Sequence, residues 1–356
     1  MSPRLRHHMR MTSNTRAPDP PFPEPPAPGT AIETAPGVLW MQLPLPWALN
    51  HVNAYAFDDG DGWTVIDTGL DTTRIRAVWE SLLSGPLDGR PLRRVVVTHH
   101  HPDHVGLAGW LCAQGDAELV MPRTGYLMSR MLRAEEQSLP PREVVQFYKR
   151  AGMDAELLAQ RRTERPFNFV DWVAPLPLSY SRIREGDAIR IGGRDWTVRM
   201  GEGHAAEHAT FWEQGGDLVI GGDQLLPGIS PNLGVQPTEP ENDPVTDWIA
   251  SCEKLAAFAR PDQLVLPGHK KPYRGLPARL DQMAQGHRDA LDRLAKHLAV
   301  PRKGGDCFAP LFRRSVTRDS YGLGLAEALG HLNALVAQGR ASREMGDDGA
   351  WRWRAA

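Results

Sequence analysis

The strongest constraint on this chain is a short stretch, Thr98-His99-His100-His101-Pro102-Asp103-His104, that follows the apolar run Val95-Val96-Val97 without a break. A β-branched run of that length reads as a buried strand. The potential ligands His99, His101, Asp103 and His104 therefore sit on a loop at a strand's carboxyl end. In an extended chain alternate residues point the same way, which pairs His99 with His101 and turns Asp103 and His104 toward a neighbouring position. Imidazole nitrogen and carboxylate oxygen are zinc ligands, so two adjacent metal positions are expected. Three later residues end predicted strands in the same manner: His204 after Gly201-Glu202-Gly203, Asp223 after Gly221-Gly222, and His269 after Pro267-Gly268. The glycines before them let the backbone turn sharply and approach a site closely.

The surrounding pattern alternates strands and helices. Val52 to Phe57 and Trp63 to Asp67 flank a glycine-bearing loop and read as a hairpin. Residues 72 to 84 carry Ile75, Val78, Trp79, Leu82 and Leu83 at helical spacing. A helix is expected over about 104 to 114 and a strand over 118 to 121. Residues 122 to 182 form a largely helical insertion or cap. Strand signals return at 188 to 191, 195 to 201, 209 to 213, 217 to 220 and 263 to 266, with a helix near 244 to 258. Two sheets face to face with helices outside would bury both strand sets. A long amphipathic pattern over 277 to 299 then leads to a small α+β unit at 307 to 354.

Composition narrows the function classes. The 356 residues hold 41 basic and 43 acidic side chains, for a formal net charge of −2, which argues against a chain built wholly around nucleic acid or an anionic membrane surface. No apolar run approaches the roughly 18 residues that span a bilayer. The three cysteines, Cys112, Cys252 and Cys307, have no CxxC spacing, so a disulfide framework is not expected and a reducing, cytoplasmic compartment is. Residues 1 to 16 carry four arginines and no acid, and 17 to 29 carry seven prolines, so residues 1 to 30 are expected to be disordered.

On the histidine stretch, the three later positions and Ile66-Asp67-Thr68-Gly69, the chain resembles the metallo-β-lactamase-fold hydrolase superfamily over about residues 31 to 275. The resemblance, to a glyoxalase II-like or β-lactamase-like branch, implies an α+β, four-layer αββα sandwich. It puts His99, His101 and His204 on one divalent metal ion and Asp103, His104 and His269 on a second, with Asp223 bridging. Zinc is the metal expected, although manganese and iron accept the same donors. Asp67 would hold the histidine loop through hydrogen bonds. His208, in Gly203-His204-Ala205-Ala206-Glu207-His208, would be structural; Ala206 and Glu207 replace the usual proline and glycine of that turn. Asp103 is the expected catalytic carboxylate, orienting a hydroxide and taking its proton. His100 and His51 read as packing or surface residues.

The resemblance does not supply the substrate, because loops and added domains decide it. The insertion offers Arg123, Tyr126, Arg130, Phe167 and Trp172 either as lining for an anionic or acyl substrate or as the packing of a solvated cap. Residues 276 to 356 resemble the winged-helix-like tail of β-lactamase-like endoribonucleases, and 287 to 318 hold eight basic against three acidic residues. A small-molecule ester, thioester or lactone is the preferred substrate. RNA or another phosphodiester is the runner-up, and a metal-bound interaction scaffold is a third reading. The tail is expected to bind nucleic acid, to pack, or to form a homodimer.

Overall fold

The structure, a computed structural model, describes residues 18–312 and 315–356, and the statements below concern these residues. One sheet runs in the order β1 (Ile32–Ala35), β2 (Val38–Pro44), β3 (His51–Asp58), β4 (Trp63–Ile66), β5 (Leu92–Val96), β6 (Glu118–Pro122) and β7 (Ser181–Ile183). Its first four strands pair antiparallel, and β4 to β7 pair parallel. The second sheet comprises β8 (Ala188–Ile191), β9 (Arg194–Gly201), β10 (His208–Glu213), β11 (Leu218–Gly222) and β12 (Leu264–Pro267), in spatial order β12-β11-β10-β9-β8. A hairpin of β13 (Ala341–Met345) and β14 (Trp351–Ala355) closes the chain. The helices are α1 (Thr73–Ser84), α2 (Pro102–Val105), α3 (Ala108–Gly115), α4 (Arg123–Ala134), α5 (Arg142–Arg150), α6 (Ala155–Arg161), α7 (Pro244–Ala256), α8 (Leu276–His297), α9 (Phe308–Leu311) and α10 (Tyr321–Ala337).

Period-two alternation builds the layers. In β2, Val38 and Trp40 face the second sheet while Met41 and Leu43 face the helices; in β3, Tyr55 and Phe57 go inward and Val52, Ala54 and Ala56 outward. From the other sheet Trp196, Val198, Phe211 and Ile220 meet them, so the middle of the sandwich is apolar on both sides. Helices α1, α3 and α4 cover the outer face of the first sheet, and α7, α8 and α10 cover that of the second. This is the αββα sandwich that the resemblance implied.

Three expectations need correction. The helix expected over 104 to 114 is broken at Gly106-Leu107, because the Leu107 N–H is taken by Thr68 Oγ1 (3.0 Å) and the Gly69 carbonyl (3.1 Å), leaving two separate helices. The expectation of disorder over residues 1 to 30 fails where the chain is described: Asp19 exchanges backbone bonds with Arg274, Pro26 is buried, and Phe22 packs on Trp40 at 6.0 Å between ring centroids. Residues 1–17 lie outside the described residues. The insertion between β6 and β7 also divides. Tyr126 on α4 joins the first outer core, whereas Phe147, Ala151, Met153 and Leu157 of α5, α6 and their connection pack into the same core as Leu325, Leu329 and Leu332 of α10. The tail thus has no core separate from that of the second sheet.

Inside that shared core lies a buried imidazole pair, His287 on α8 and His331 on α10, 3.2 Å apart between Nδ1 and Nε2. Burial, followed by the neighbouring His331, lowers His287 to about 3, and burial lowers His331 to about 4. An unfolded imidazole titrates near 6.5. Between pH 6.5 and 4 the unfolded chain therefore binds more protons than the folded one, and stability falls as pH falls. One such residue costs on the order of 3 kcal/mol by pH 4. In metal-stripped protein, the fall in Tm between pH 7 and 4.5 is expected to be shallower for His331→Gln than for the unsubstituted chain; equal slopes would exclude this source of acid sensitivity.

Candidate metal centre

The strand directions explain why distant residues meet. β9 and β11 both run antiparallel to β10, so the carboxyl ends of β9 and β11 lie beside the amino end of β10 at His208. β12 is parallel to β11, which brings its carboxyl end to the same edge. Across the sandwich, the Ala209 N–H donates to the Thr98 carbonyl at 2.9 Å and ties the carboxyl end of β5 to that edge.

His99 Nε2 and His204 Nε2 each lie 3.0 Å from His101 Nδ1, so three ring nitrogens converge on one point. A second group gathers Asp103, His104 and His269: His269 Nε2 is 3.4 Å and His104 Nε2 3.7 Å from Asp103 Oδ2. Asp223 stands between the groups. Its Oδ1 is 3.4 Å from His104 Nε2, and its Oδ2 is 3.3 Å from His269 Nε2 and 3.5 Å from His204 Nε2. The seven residues proposed as ligands from the sequence thus meet in one pocket.

Partners on the far ring nitrogens decide which lone pairs face inward. The His204 Nδ1–H donates to the Asn232 carbonyl (2.9 Å), His269 Nδ1–H to the His51 carbonyl (2.7 Å) and His104 Nδ1–H to Asp67 Oδ2 (2.8 Å). Thr98 Oγ1 donates to Asp67 Oδ2 (2.9 Å), which leaves it to accept from His99 Nδ1–H (3.0 Å). All four imidazoles therefore have Nδ1 engaged outside the pocket and turn Nε2 into it. Lone pairs and carboxylates crowded together repel unless a cation lies among them. His104 Nε2 and Asp223 Oδ1 are buried with no hydrogen-bond partner. Buried atoms without partners are uncommon, and here they fit divalent ions held by nitrogen and oxygen donors.

The electrostatics follow from this crowding. Burial, then the neighbouring histidines, hold His99 and His101 well below the ordinary imidazole range. Burial would lower His104 as well, but the carboxylates of Asp223, Asp103 and Asp67 outweigh it and raise it. For Asp223, burial is overcome in the other direction by His269 and His104, so its carboxyl stays ionised.

Asp67 organises the loop. It sits just past β4 at φ 58°, a conformation disfavoured for a residue with a Cβ, and its Oδ1 accepts from the Thr98 N–H at 2.8 Å. His208 is buried, stacks on His99 with centroids 4.5 Å apart, and accepts the Asp223 N–H at 3.0 Å through Nε2, so it positions the shared carboxylate. Glu207 takes the left-handed conformation (φ 51°) although glycine would suit it better; its carboxylate accepts from the Thr124 N–H at 2.6 Å and pairs with Arg182 at 3.4 Å. It is tied into the wall of the site. His100 is buried and forms no part of either nitrogen group.

Sequence reasoning missed the supporting groups. His51 contributes its carbonyl to His269, and Asn232 does the same for His204. Asn53 donates from Nδ2 to the carbonyls of Pro267 (2.8 Å) and Lys270 (2.7 Å) and so fixes the turn that carries His269. A carbonyl role leaves no residue signature. Thr98, which opens the histidine stretch, was the one available signal.

Of the candidate substrate contacts in the insertion, Tyr126 is buried, stacks on Tyr180 with centroids 3.8 Å apart, and donates to the Leu178 carbonyl; Arg130 Nη1 donates to the Tyr126 hydroxyl at 2.9 Å. These two side chains serve packing.

The family description "Metallo-beta-lactamase superfamily" matches residues 47–296, and "Metallo-beta-lactamase-like, C-terminal domain" matches residues 291–356. A crystal structure of a beta-lactamase domain protein from Burkholderia ambifaria is similar at 37% identity and a TM-score of 0.87, over 95% of this chain and 98% of that one. A probable metallo-hydrolase of Bacillus subtilis, YqjP, is 25% identical over 313 residues, 86% of this chain and 94% of its own. A hydroxyacylglutathione hydrolase of Bdellovibrio bacteriovorus is 22% identical over 173 residues, 49% of this chain and 44% of its own.

Gly222 tests the packing behind the centre. Its φ is +47°, and a Cβ there would lie 2.6 Å from His208 Cε1 and 3.0 Å from Thr98 Oγ1. Gly222→Ala is expected to displace the groups that orient Asp223 and His99 and to weaken metal binding about 10- to 100-fold with the fold retained. Metal content by mass spectrometry beside a circular dichroism spectrum checks this; full occupancy would refute it.

Proposed function

The chain belongs to the metallo-beta-lactamase superfamily, and we propose that it is a dinuclear, zinc-dependent hydrolase of a small-molecule ester, thioester or lactone. The observation that carries this reading is the shared position of Asp223, whose two carboxylate oxygens face both ligand groups within 3.3 to 3.5 Å. His99, His101 and His204 would hold one ion, Asp103, His104 and His269 the other, and Asp223 both.

Bound divalent ions supply Lewis acidity and bring the pKa of a coordinated water down toward neutrality. The rest is done by this chain's side chains. Asp103 has the more accessible carboxylate of the two, with 14% of its side chain exposed against 8% for Asp223. It would orient the attacking water by accepting its hydrogen bond and then receive the proton. Asp67 and Thr98 keep the histidine loop from rotating while charge develops.

The surroundings favour a small molecule over nucleic acid. Much of the basic excess of the tail is already engaged: Arg288 pairs with Glu253, Lys303 with Asp348, Arg293 donates to the Pro310 carbonyl and Arg318 to Gln160. Such charges are poorly placed to meet phosphates. Meanwhile Trp47 lies four residues before His51, whose carbonyl holds His269, and exposed Trp47 and Phe167 both pack on Trp172. Exposed aromatic groups clustered with the loop that leads to His51 suit the apolar part of an acyl substrate. The partial likeness to a hydrolase named for an acylglutathione points the same way.

The three cysteines are free and buried, which supports a cytoplasmic setting, and no helix among the described residues is long and apolar enough to cross a membrane. The order of α10 followed by the β13–β14 hairpin supports a winged-helix-like tail.

A panel of thioester, lactone, ester, β-lactam, phosphodiester and RNA substrates, run on protein of measured metal content, tests the reading. Metal-dependent acyl hydrolysis is expected, and His101→Ala or Asp223→Ala should lower it by about 10³-fold or more with the fold intact. RNA cleavage at low salt without acyl hydrolysis would replace this proposal with the nuclease reading. Absence of hydrolysis across the panel in metal-replete protein would leave the scaffold reading.

A further inference from the structure

The segment between β11 and α7 begins with Asp223 and carries Asn232, whose carbonyl fixes the His204 proton on Nδ1. Residues of the C-terminal helices hold this segment at successive points. Arg279 of α8 donates from Nε to the Leu226 carbonyl (2.6 Å) and from Nη2 to the Ile229 carbonyl (2.7 Å). The next contact is Ser230 with His287 Nε2 at 2.9 Å. Beyond it, Asn232 Nδ2 donates to Glu327 Oε2 of α10 (2.9 Å) and to the Leu323 carbonyl (3.2 Å), and the Val235 N–H donates to the Ala326 carbonyl (3.1 Å).

The protons along the imidazole pair have one consistent arrangement. The Glu327 carbonyl can only accept, so the bond at 2.9 Å places a proton on His331 Nδ1. His331 Nε2 must then accept from His287 Nδ1–H, and His287 Nε2 from the Ser230 hydroxyl. The same residue, Glu327, therefore anchors this chain through its backbone and Asn232 through its carboxylate. Both connections end on the segment that presents a carbonyl to His204.

We propose that Glu327 is a positioning residue for the metal centre: its carboxylate holds Asn232 so that the Asn232 carbonyl keeps His204 Nε2 directed at His99 and His101. The tail is thereby a working part of the hydrolase, and α10 sets the affinity of the three-histidine position from outside the pocket. This inference rests on the metal-dependent reading above, and its test separates the two.

Zinc alone is the probe, titrated into metal-stripped full-length protein against a chromogenic chelator so that the first and second equivalents are resolved. Glu327→Ala is expected to raise the Kd of one equivalent about tenfold, the lower end of the range for groups that orient a ligand from behind, while the other equivalent stays within about twofold. Glu327→Gln keeps an acceptor for Asn232 and should restore the unsubstituted value. Asn232→Ala removes the other end of the bond and should reproduce the Glu327→Ala effect, with the double substitution no worse than either alone. It also serves if Glu327→Ala does not fold. Leu329→Ala, which loosens the tail core without removing the Glu327–Asn232 bond, should lower Tm and leave both Kd values unchanged.

Unchanged zinc binding in Glu327→Ala and Asn232→Ala would overturn the inference while the metal-dependent reading stands. Equal weakening of both equivalents, equal loss in Glu327→Gln and Glu327→Ala, or a Kd shift in Leu329→Ala as large as theirs would overturn it by assigning the effect to general packing. Failure of the unsubstituted protein to bind zinc would overturn both.

Discussion

Five imidazole nitrogens and two carboxylates occupy a space a few ångströms across, and such a cluster is held together only by what lies behind it. Asp67 is the centre of that support. One carboxylate oxygen receives the Thr98 N–H, and the other receives the Thr98 hydroxyl and the His104 Nδ1–H. Thr98 passes the constraint to His99. A single buried anion thereby fixes two imidazole tautomers, in neighbouring ligand groups. Charge-assisted hydrogen bonds of this kind are strong when shielded from water. The left-handed backbone at Asp67 is a local strain that this network offsets.

The remaining ligands depend on the sandwich as a whole. His204, Asp223 and His269 leave three strands of the second sheet at the same edge; backbone bonds from Ala209 to Thr98 and from Asn53 to Gly268 stitch that edge to the first sheet, and Gly268 to Gly222 ties the ends of β12 and β11 together. Gly268 has no room for a side chain, since a Cβ would fall 2.2 Å from Asp223 Oδ1. The two sheets are thus joined at the metal centre as well as through the apolar middle layer. A displacement of one sheet against the other would separate the ligand groups. That dependence gives the deep packing of Trp40, Phe57, Trp196 and Phe211 a functional consequence.

Much of this was legible along the chain. The strand-ending positions of His99, His204, Asp223 and His269 were readable because short β-branched and apolar runs stop abruptly before them, and glycine marks three of the four turns. The alternation in β2 and β3 was likewise available, since the faces of a pleated strand repeat every two residues. The insertion was harder. Its helices carry aromatic residues that suit a roof over the site equally well, yet Phe147 and Leu157 turn to α10 and Tyr126 to the first outer core. Helical spacing reports that a face is apolar and says nothing of which surface will cover it. The proline-rich segment at 18 to 30 misled for a related reason: composition disfavours a core of its own, but Phe22 and Pro26 find one already built.

What the chain determined by itself was chemistry and local form: donor types suited to divalent ions, strand ends to carry them, and glycines where the backbone must turn. The tertiary structure decided orientation and support. The tautomer of His204 depends on a carbonyl 28 residues away, that of His269 on one 218 residues away, and Asn232 is held in turn by a helix of the tail. Backbone carbonyls are present at every residue and differ only by where they end up. Their roles therefore become visible only when the chain is folded.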